Sequence, residues 1–243
     1  MIDQKRVLGL ITARGGSKGL PGKNLKELLG KPLLVWTVEQ GLESTLLDRL
    51  ILSTDDSAIA EVGRQAGVEV PFIRPPELAR DDSPSIDSIL HALDMLEKEG
   101  EYYEYLVLLE PTSPLRKKDD IDRAIMALDS RADEADSLIA LGKVSGSHHP
   151  SILYELEDGI MNRMEGEGPP AFQRQLLNSS FYFPNGLLYI TKTSTLRTEK
   201  TRYAVRTLGF LCERWQNQEI DDMIDFLCVE AILKQVLKGG YPS

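Results

Sequence analysis

ITARGGSKGLPGKN, residues 11–24, follows directly on the apolar run 7–11 and packs five glycine or proline breaks and three cationic side chains into one turn. Glycines let a backbone approach an anion closely and point several N–H groups toward it. Arg14, Lys18 and Lys23 supply the counter-charge that a triphosphate demands. Two better-known phosphate motifs do not fit these residues. A P-loop needs four residues between its first glycine and a Gly-Lys-Ser/Thr triplet, whereas Gly16 precedes Gly22 by one residue too many and Asn24 replaces the hydroxyl residue. No GxGxxG run is present either. Taken alone, a segment of this composition reads as a solvated surface loop. Its position reverses that reading, because ligands of open α/β sheets collect outside the carboxyl ends of the strands and this loop leaves the first strand of the chain.

Positive charge continues on either side of the loop. Between Lys5 and Lys31 seven cationic residues are opposed only by Glu27, while the whole chain carries 38 acids against 28 bases and a formal charge of −10. An acidic chain with one basic pole argues against general nucleic-acid binding and suits a small anion. At 243 residues with a 42% hydrophobic fraction, the chain is long enough for one large α/β domain with a sizeable core. Cys212 and Cys228 have neither CxxC spacing nor the company a disulfide framework needs, which points to a reducing cytoplasm, to packing roles for both, and away from zinc. The N-terminus has no charged-then-apolar leader and no apolar run approaches the roughly 20 residues of a membrane span. A soluble, cytoplasmic protein is expected.

Strand and helix patterns alternate along the chain. Short strands are expected at 7–11, 50–53, 67–72, 105–109 and 137–141, each a compact apolar run. Helices begin at Pro32, at Asp55-Asp56, at Ser83-Pro84 and at Asp119-Asp120. The third has apolar residues Ile86, Ile89, Leu90, Leu93 and Leu96 at the 3.6-residue period. This spacing implies parallel βαβ units and a doubly wound sheet. Between 145 and 184 the alternation stops: 152–156, a Glu157-Asp158-Gly159 turn and 160–164 read as a β-hairpin, followed by the Gly/Pro-rich run 166–170. Residues 187–190 return to the sheet. A last helix, 221–237, is expected to bury Ile224, Leu227, Ala231 and Leu233.

Six motifs then stand in order: the opening loop, LSTDD at 52–56, PFIRPPELARDDSPS at 71–85, LLEPTSPLR at 108–116, NGLLYI at 185–190 and EIDD at 219–222. Through them the chain resembles the CMP-sialic acid synthetases, the N-acylneuraminate cytidylyltransferase family, over nearly its whole length. The first and fourth motifs are specific to this nucleotidyltransferase group, whereas NGLLYI alone would mean nothing. The resemblance implies a doubly wound, mostly parallel α/β fold of the nucleotide-diphospho-sugar transferase type. It implies a single domain over residues 1–243, with an inserted dimerisation arm at 145–184 exchanged between the subunits of a homodimer. The implied reaction joins CTP to a nonulosonic acid, a nine-carbon 2-keto sugar acid, through attack of the anomeric hydroxyl on the α-phosphorus, and releases pyrophosphate. Negative charge grows on the phosphoryl oxygens and the leaving pyrophosphate, so catalysis is mainly positioning and charge neutralisation.

By resemblance, Arg14 and Lys23 are the catalytic cations and grip the triphosphate with Gly15, Gly16 and Ser17, while Asn24, Arg74 and Ser85 hold the nucleotide. Lys18 either joins them or points to water. Mg²⁺ or another divalent ion is implied, and such an ion takes only one or two carboxylates plus water. The family's pair of aspartates, one residue apart, falls here on Glu219 and Asp221. The alternative is that Glu219, Asp221 and Asp222 only favour the N-terminus of the last helix through its dipole.

The sugar side carries the departures. Glu110 replaces the glutamine usual before PTSPLR, an acceptor-only carboxylate in place of an amide that can donate. The stretch 149–158 lacks the lysine that members commonly place there. Arg174, beside Gln175, is the expected partner of the substrate carboxylate, and it would serve the neighbouring subunit's site. Asn185 and Tyr189 match sugar-side positions, with strand packing the alternative for Tyr189. These differences point to a legionaminic or pseudaminic type of acid. His148 and His149 read as loop residues and His91 as surface or packing. One rival is a nucleotidyltransferase of the same fold acting on another nucleotide or a sugar phosphate, which needs more cations than Lys143, Arg163 and Arg174 provide. The other is a non-catalytic nucleotide-binding relative, which altered Glu110 and Glu219 would fit and the intact loop would not.

Overall fold

A computed structural model describes residues 5–163 and 180–240; Arg174, Gln175 and the run 166–170 lie outside the described residues. In chain order the elements are β1 (Val7–Thr12), the short strands β2 (Glu27–Leu28) and β3 (Lys31–Pro32), α1 (Leu33–Leu42), β4 (Arg49–Ser53), α2 (Ser57–Gln65), α3 (Ser85–Lys98), β5 (Tyr105–Leu109), α4 (Asp120–Asp129) and β6 (Ser137–Lys143). After them come β7 (Tyr154–Glu157), β8 (Ile160–Arg163), β9 (Tyr182–Lys192), α5 (Thr193–Glu199), β10 (Thr207–Leu211) and α6 (Met223–Leu237).

The main sheet has the order β10-β6-β9-β5-β1-β4. Its β1–β4, β1–β5 and β6–β10 pairs are parallel, and β9 runs antiparallel to both β5 and β6. The sequence periods explain why both faces are covered. Along β1, Val7 and Ile11 join the core formed with Leu34 and Val38 of α1, Ile59 of α2 and Ile125 of α4. The alternate residues Leu8 and Leu10 join Ile89, Leu93 and Leu96 of α3 and Leu196 of α5. A strand buried on both faces is continuously apolar, as VLGLI is. Helices on both faces make the fold doubly wound and mostly parallel.

A third apolar cluster matters more for function. Leu20 of the glycine loop packs with Leu28, Trp36, Trp215 and Ile220 and with Phe226, Val229 and Leu233 of α6. Burying side chains of this size stabilises by roughly 1.5–3 kcal/mol each, so the last helix fastens the loop to the body.

Several expectations change. The segment 67–72 is not a strand; Glu69 makes only one isolated bridge, to Ile51, because Gly67 with φ +94 and Pro71 restrict it to a single sheet position. The last helix buries Phe226, Val229 and, as expected, Leu233, while Ile224, Leu227 and Ala231 are exposed. It carries apolar residues on two sides, and periodicity could not say which side meets the body. Cys228 is exposed and Cys212 half-buried. The hairpin appears as expected, with Asp158 and Gly159 both at positive φ, the turn geometry that two-residue hairpins favour. It forms its own two-stranded sheet.

Candidate active site

The glycine loop is shaped by its own chain. Asn24, buried in a single helical turn at Lys23–Leu25, donates from Nδ2 to the Arg14 carbonyl at 3.0 Å and closes the loop on itself. The two aspartates of LSTDD divide their work. Asp56 caps α2, accepting from the N–H groups of Ala58 and Ile59 at 2.7 and 3.0 Å, a contribution of about 1 kcal/mol. Asp55 Oδ1 accepts from the Gly15 N–H at 3.2 Å and from Arg74 Nη2 at 3.3 Å. On its far side the loop rests on the entrance to α6. A Cβ on Gly19 would lie 2.3 Å from the Asp221 carbonyl oxygen, closer than any side chain tolerates. Lys23 Nζ donates to the Ile220 carbonyl at 2.5 Å and stands 3.4 Å from Asp221 Oδ1.

The loop cations also have partners. Arg14 Nη1 is 2.8 Å from Asp81 Oδ1, and Lys18 Nζ is 2.7 Å from Asp81 Oδ2. Lys18 and then Arg14 hold the Asp81 carboxyl below its usual range. One exposed carboxylate thus bridges two cations. Arg74 is buried, its Nε has no partner among the described residues, and burial lowers its pKa while Asp55 opposes that shift.

Ile11 is level with Leu52 of β4 and Leu109 of β5, so the segments after these three strands leave the sheet along one edge. A cleft of about 380 Å³ opens there. Arg14, Ser17, Lys23, Asn24, Arg74 and Ser85 make one set of its lining residues, from the glycine loop and the segments after β4, and Glu110, Thr112 and Glu219 make a second set, from the turn after β5 and the approach to α6. Gly15 and Gly16 belong to the loop but put no side chain into the cleft, and a Cβ on Gly16 would meet open space.

The second part is assembled from distant segments. The Glu110 carbonyl accepts from Arg116 Nη2 at 2.9 Å, and its Oε1 from Arg202 Nη1 at 2.6 Å. Arg202 lies over the Tyr189 ring, its guanidinium carbon 4.3 Å from the centroid, and 5.3 Å from that of Tyr203. The buried Arg116 also donates from Nε to the Leu187 carbonyl at 2.6 Å and from Nη1 to Thr37 and Gln40 at 3.1 and 3.0 Å. Burial lowers its pKa to about 10. This arginine fastens the turn after β5 to β9 and α1. Thr112 Oγ1 donates to Glu219 Oε1 at 3.0 Å. Gly186, at φ +72, lets β9 pass so near that a Cβ would be 2.8 Å from Glu219 Oε2.

Burial, then the charges of Glu110 and Asp221, push the Glu219 carboxyl up. Burial and then Glu110 push up the Tyr189 phenol. Among the described residues no group of three or more His, Cys, Asp or Glu side chains gathers as a metal cluster. Glu219 is turned into the cleft, whereas the Asp221 side chain is exposed beside Lys23.

Most of the residues singled out from the sequence thus meet at one edge of the sheet. Tyr189 sits in the β9 wall, buried in the core and capped by Arg202. Asn185 lies beneath the wall, its Nδ2 donating to Asn217 Oδ1 at 3.1 Å. Sequence reasoning missed Asp81, Thr112 and Arg202. Asp81 carried a signal, since it lies within the ARDDSPS stretch; Arg202 had none, being 92 residues from its partner Glu110.

The chain is a nucleotidyltransferase whose cleft carries a cationic glycine loop. The chain belongs to the cytidylyltransferase family, whose model matches residues 8–150. It is similar to the CMP-N,N'-diacetyllegionaminic acid synthase of Legionella pneumophila, 30% identical over 238 residues, covering 94% of this chain and 97% of that protein. It is also similar to the N-acylneuraminate cytidylyltransferase of Streptococcus agalactiae, 33% identical over 223 residues, covering 90% of this chain and 51% of that longer protein. Among solved structures, a CMP:2-keto-3-deoxy-manno-octonic acid synthetase complexed with CTP matches with a TM-score of 0.69 at 16% identity, covering 95% of this chain and 99% of that one. The 4-diphosphocytidyl-2C-methyl-D-erythritol synthase of Anaerococcus prevotii matches at 0.64 and 14% identity, covering 96% and 98%. Both likenesses speak for the fold.

Proposed function

We propose that the protein transfers a cytidylyl group from CTP to a nonulosonic acid, with an acid of the legionaminic kind first in line, and releases pyrophosphate. The observation that carries this reading is the single cleft that joins Arg14, Lys23 and Arg74 to Glu110 and Glu219 at the carboxyl edge of β1, β4 and β5. The full-length likeness to the legionaminic acid synthase supports the choice of acid.

Arg14 and Lys23 exchange Asp81 and Asp221 for the triphosphate, and the loop backbone from Gly15 to Ser17 closes around it. Arg74 brings a donor that has no partner among the described residues, and Ser85 opens α3 and lines the same cleft. Both hold the nucleotide with Asn24 as the loop's staple. Glu219, turned into the cleft, would hold a divalent ion together with phosphate oxygens, and Asp221 would join it on leaving Lys23, within the one or two carboxylates such an ion takes. Such an ion, Mg²⁺ by preference, would supply charge neutralisation at the phosphates. The substrate hydroxyl needs only to be held in line, since the developing charge is what the site stabilises.

The arm serves a second copy of the chain. Leu156, Ile160 and Met161 of the hairpin are exposed, and an isolated hairpin is marginal in water without a partner. Light scattering should return a dimer, and substitution of these three by serine should return a monomer. No helix among the described residues is long and apolar enough to cross a membrane, and use of CTP fits a cytoplasmic setting. The reaction is tested by incubating the protein with each NTP, Mg²⁺ and a panel of sugar acids while following pyrophosphate. Release with CTP and a nonulosonic acid is expected; release with GTP and a sugar phosphate, or with no acid at all, overturns the reading.

A further inference from the structure

Glu110 poses a problem for a sugar acid. It brings a carboxylate to the wall of a cleft that already holds Glu219, and the substrate adds a third. Its solution is local and is provided by neither phosphate loop nor metal pair. Arg202 reaches Oε1 at 2.6 Å and is held there by stacking on Tyr189 and Tyr203, whose rings meet edge to face at 6.0 Å. A guanidinium held on two aromatic faces gives up little freedom on pairing and keeps its charge. Among the described residues Glu110 Oε2 accepts no hydrogen bond, although the residue lines the cleft. The pair therefore presents an oriented, charge-compensated acceptor.

We propose that Arg202 is a positioning and specificity-determining residue for the sugar acid: it neutralises and aims Glu110 so that Oε2 accepts a hydrogen bond from a neutral donor, a hydroxyl or an acylamino N–H. This rests on the cytidylyltransferase reading above. The acceptor-only chemistry of a carboxylate requires a donor on the substrate, and the compensation by Arg202 allows an anionic substrate to approach. With Arg202 removed, Glu110 becomes an unpaired, half-buried charge, which is costly in itself and repels the acid.

The test uses steady-state kinetics on the full chain with CTP and the best acid of the panel. Arg202→Met should raise KM for the acid roughly 10- to 100-fold, the range of one lost charged contact, with KM for CTP changed less than about twofold. Glu110→Gln combined with Arg202→Met should recover most of that loss, because a neutral amide still accepts a hydrogen bond and needs no compensation. A merely structural Arg202 would affect both substrates together and the double variant would be no better than the single one; either result overturns the proposal. If the native chain turns over none of the acids, the parent reading falls and this inference falls with it. Turnover by the native chain without the KM split overturns this inference alone.

Discussion

The two parts of the cleft are built in opposite ways. On the side proposed for the nucleotide, Arg14, Lys18 and Lys23 come from ten consecutive residues, and their partners Asp81 and Asp221 are exposed carboxylates. On the side proposed for the sugar acid, Glu110 and Arg116 share one turn while Tyr189, Arg202 and Glu219 come from three other segments, and their contacts are with buried or half-buried groups. A triphosphate is the same in every nucleotide and needs little more than a cationic cradle. A sugar acid must be told from its analogues, which requires groups fixed by packing on all sides.

The comparison can be broken most severely at Arg116. Its four hydrogen bonds tie Glu110 to β9 and α1, and removing a buried charge's links, or stranding the acceptors it served, costs about 3–5 kcal/mol. Arg116→Met should lower stability by that order in urea unfolding; a loss under about 1 kcal/mol would mean that the wall is fixed by other contacts. Next comes Lys23→Ala, expected to cut kcat/KM by roughly 10²–10³-fold, as loss of one transition-state charge contact does. Its unfolding midpoint should change little; near-normal turnover would move the triphosphate grip elsewhere.

Asp136 offers a smaller and pH-dependent effect. At the opposite end of the sheet it ties β6, β9 and β10 through Lys192 at 2.9 Å and Arg206 at 2.7 Å, and these partners, Arg206 first, lower its pKa to about 2. A depressed carboxyl stabilises the fold above its unfolded value of about 3.9 and loses that contribution as pH falls through its folded one. Asp136→Asn should cost on the order of 1 kcal/mol at pH 7 after screening, and the gap to the native chain should close between about pH 4 and pH 2. A gap independent of pH would assign the effect to packing. The smallest change is Asp81→Asn. It frees Arg14 and Lys18, so KM for CTP should fall roughly two- to fivefold, the range of an exposed ion pair; an increase would make Asp81 part of the nucleotide site instead of its occupant.

The nucleotide side was legible because its information is local. The breaks and charges of residues 11–24, and their place after a strand, required no knowledge of what lies far along the chain. Even there, although Asp55-Asp56 marked a helix start, the tether of Gly15 by Asp55 and the seat of Gly19 on Asp221 became visible only in three dimensions. On the sugar side Glu110, Asn185 and Tyr189 could be named from motifs, but Arg202 could not, because nothing in TEKTRYAV indicates that its arginine meets Glu110. The last helix makes the same point: Ile224 and Leu227 follow a helical apolar period and still face outward.

The sequence by itself determined the alternation of strands and helices, the covering of both sheet faces, the phosphate loop and the cytidylyltransferase family, since periodicity, turn chemistry and contiguous charge act over a few residues. Only the tertiary structure decided that β9 enters the sheet antiparallel, which side of α6 meets the body, and that Arg202 and Glu110 form a pair. Those choices depend on which distant surfaces fit together, and the free energy of a buried contact is absent from either partner's local sequence.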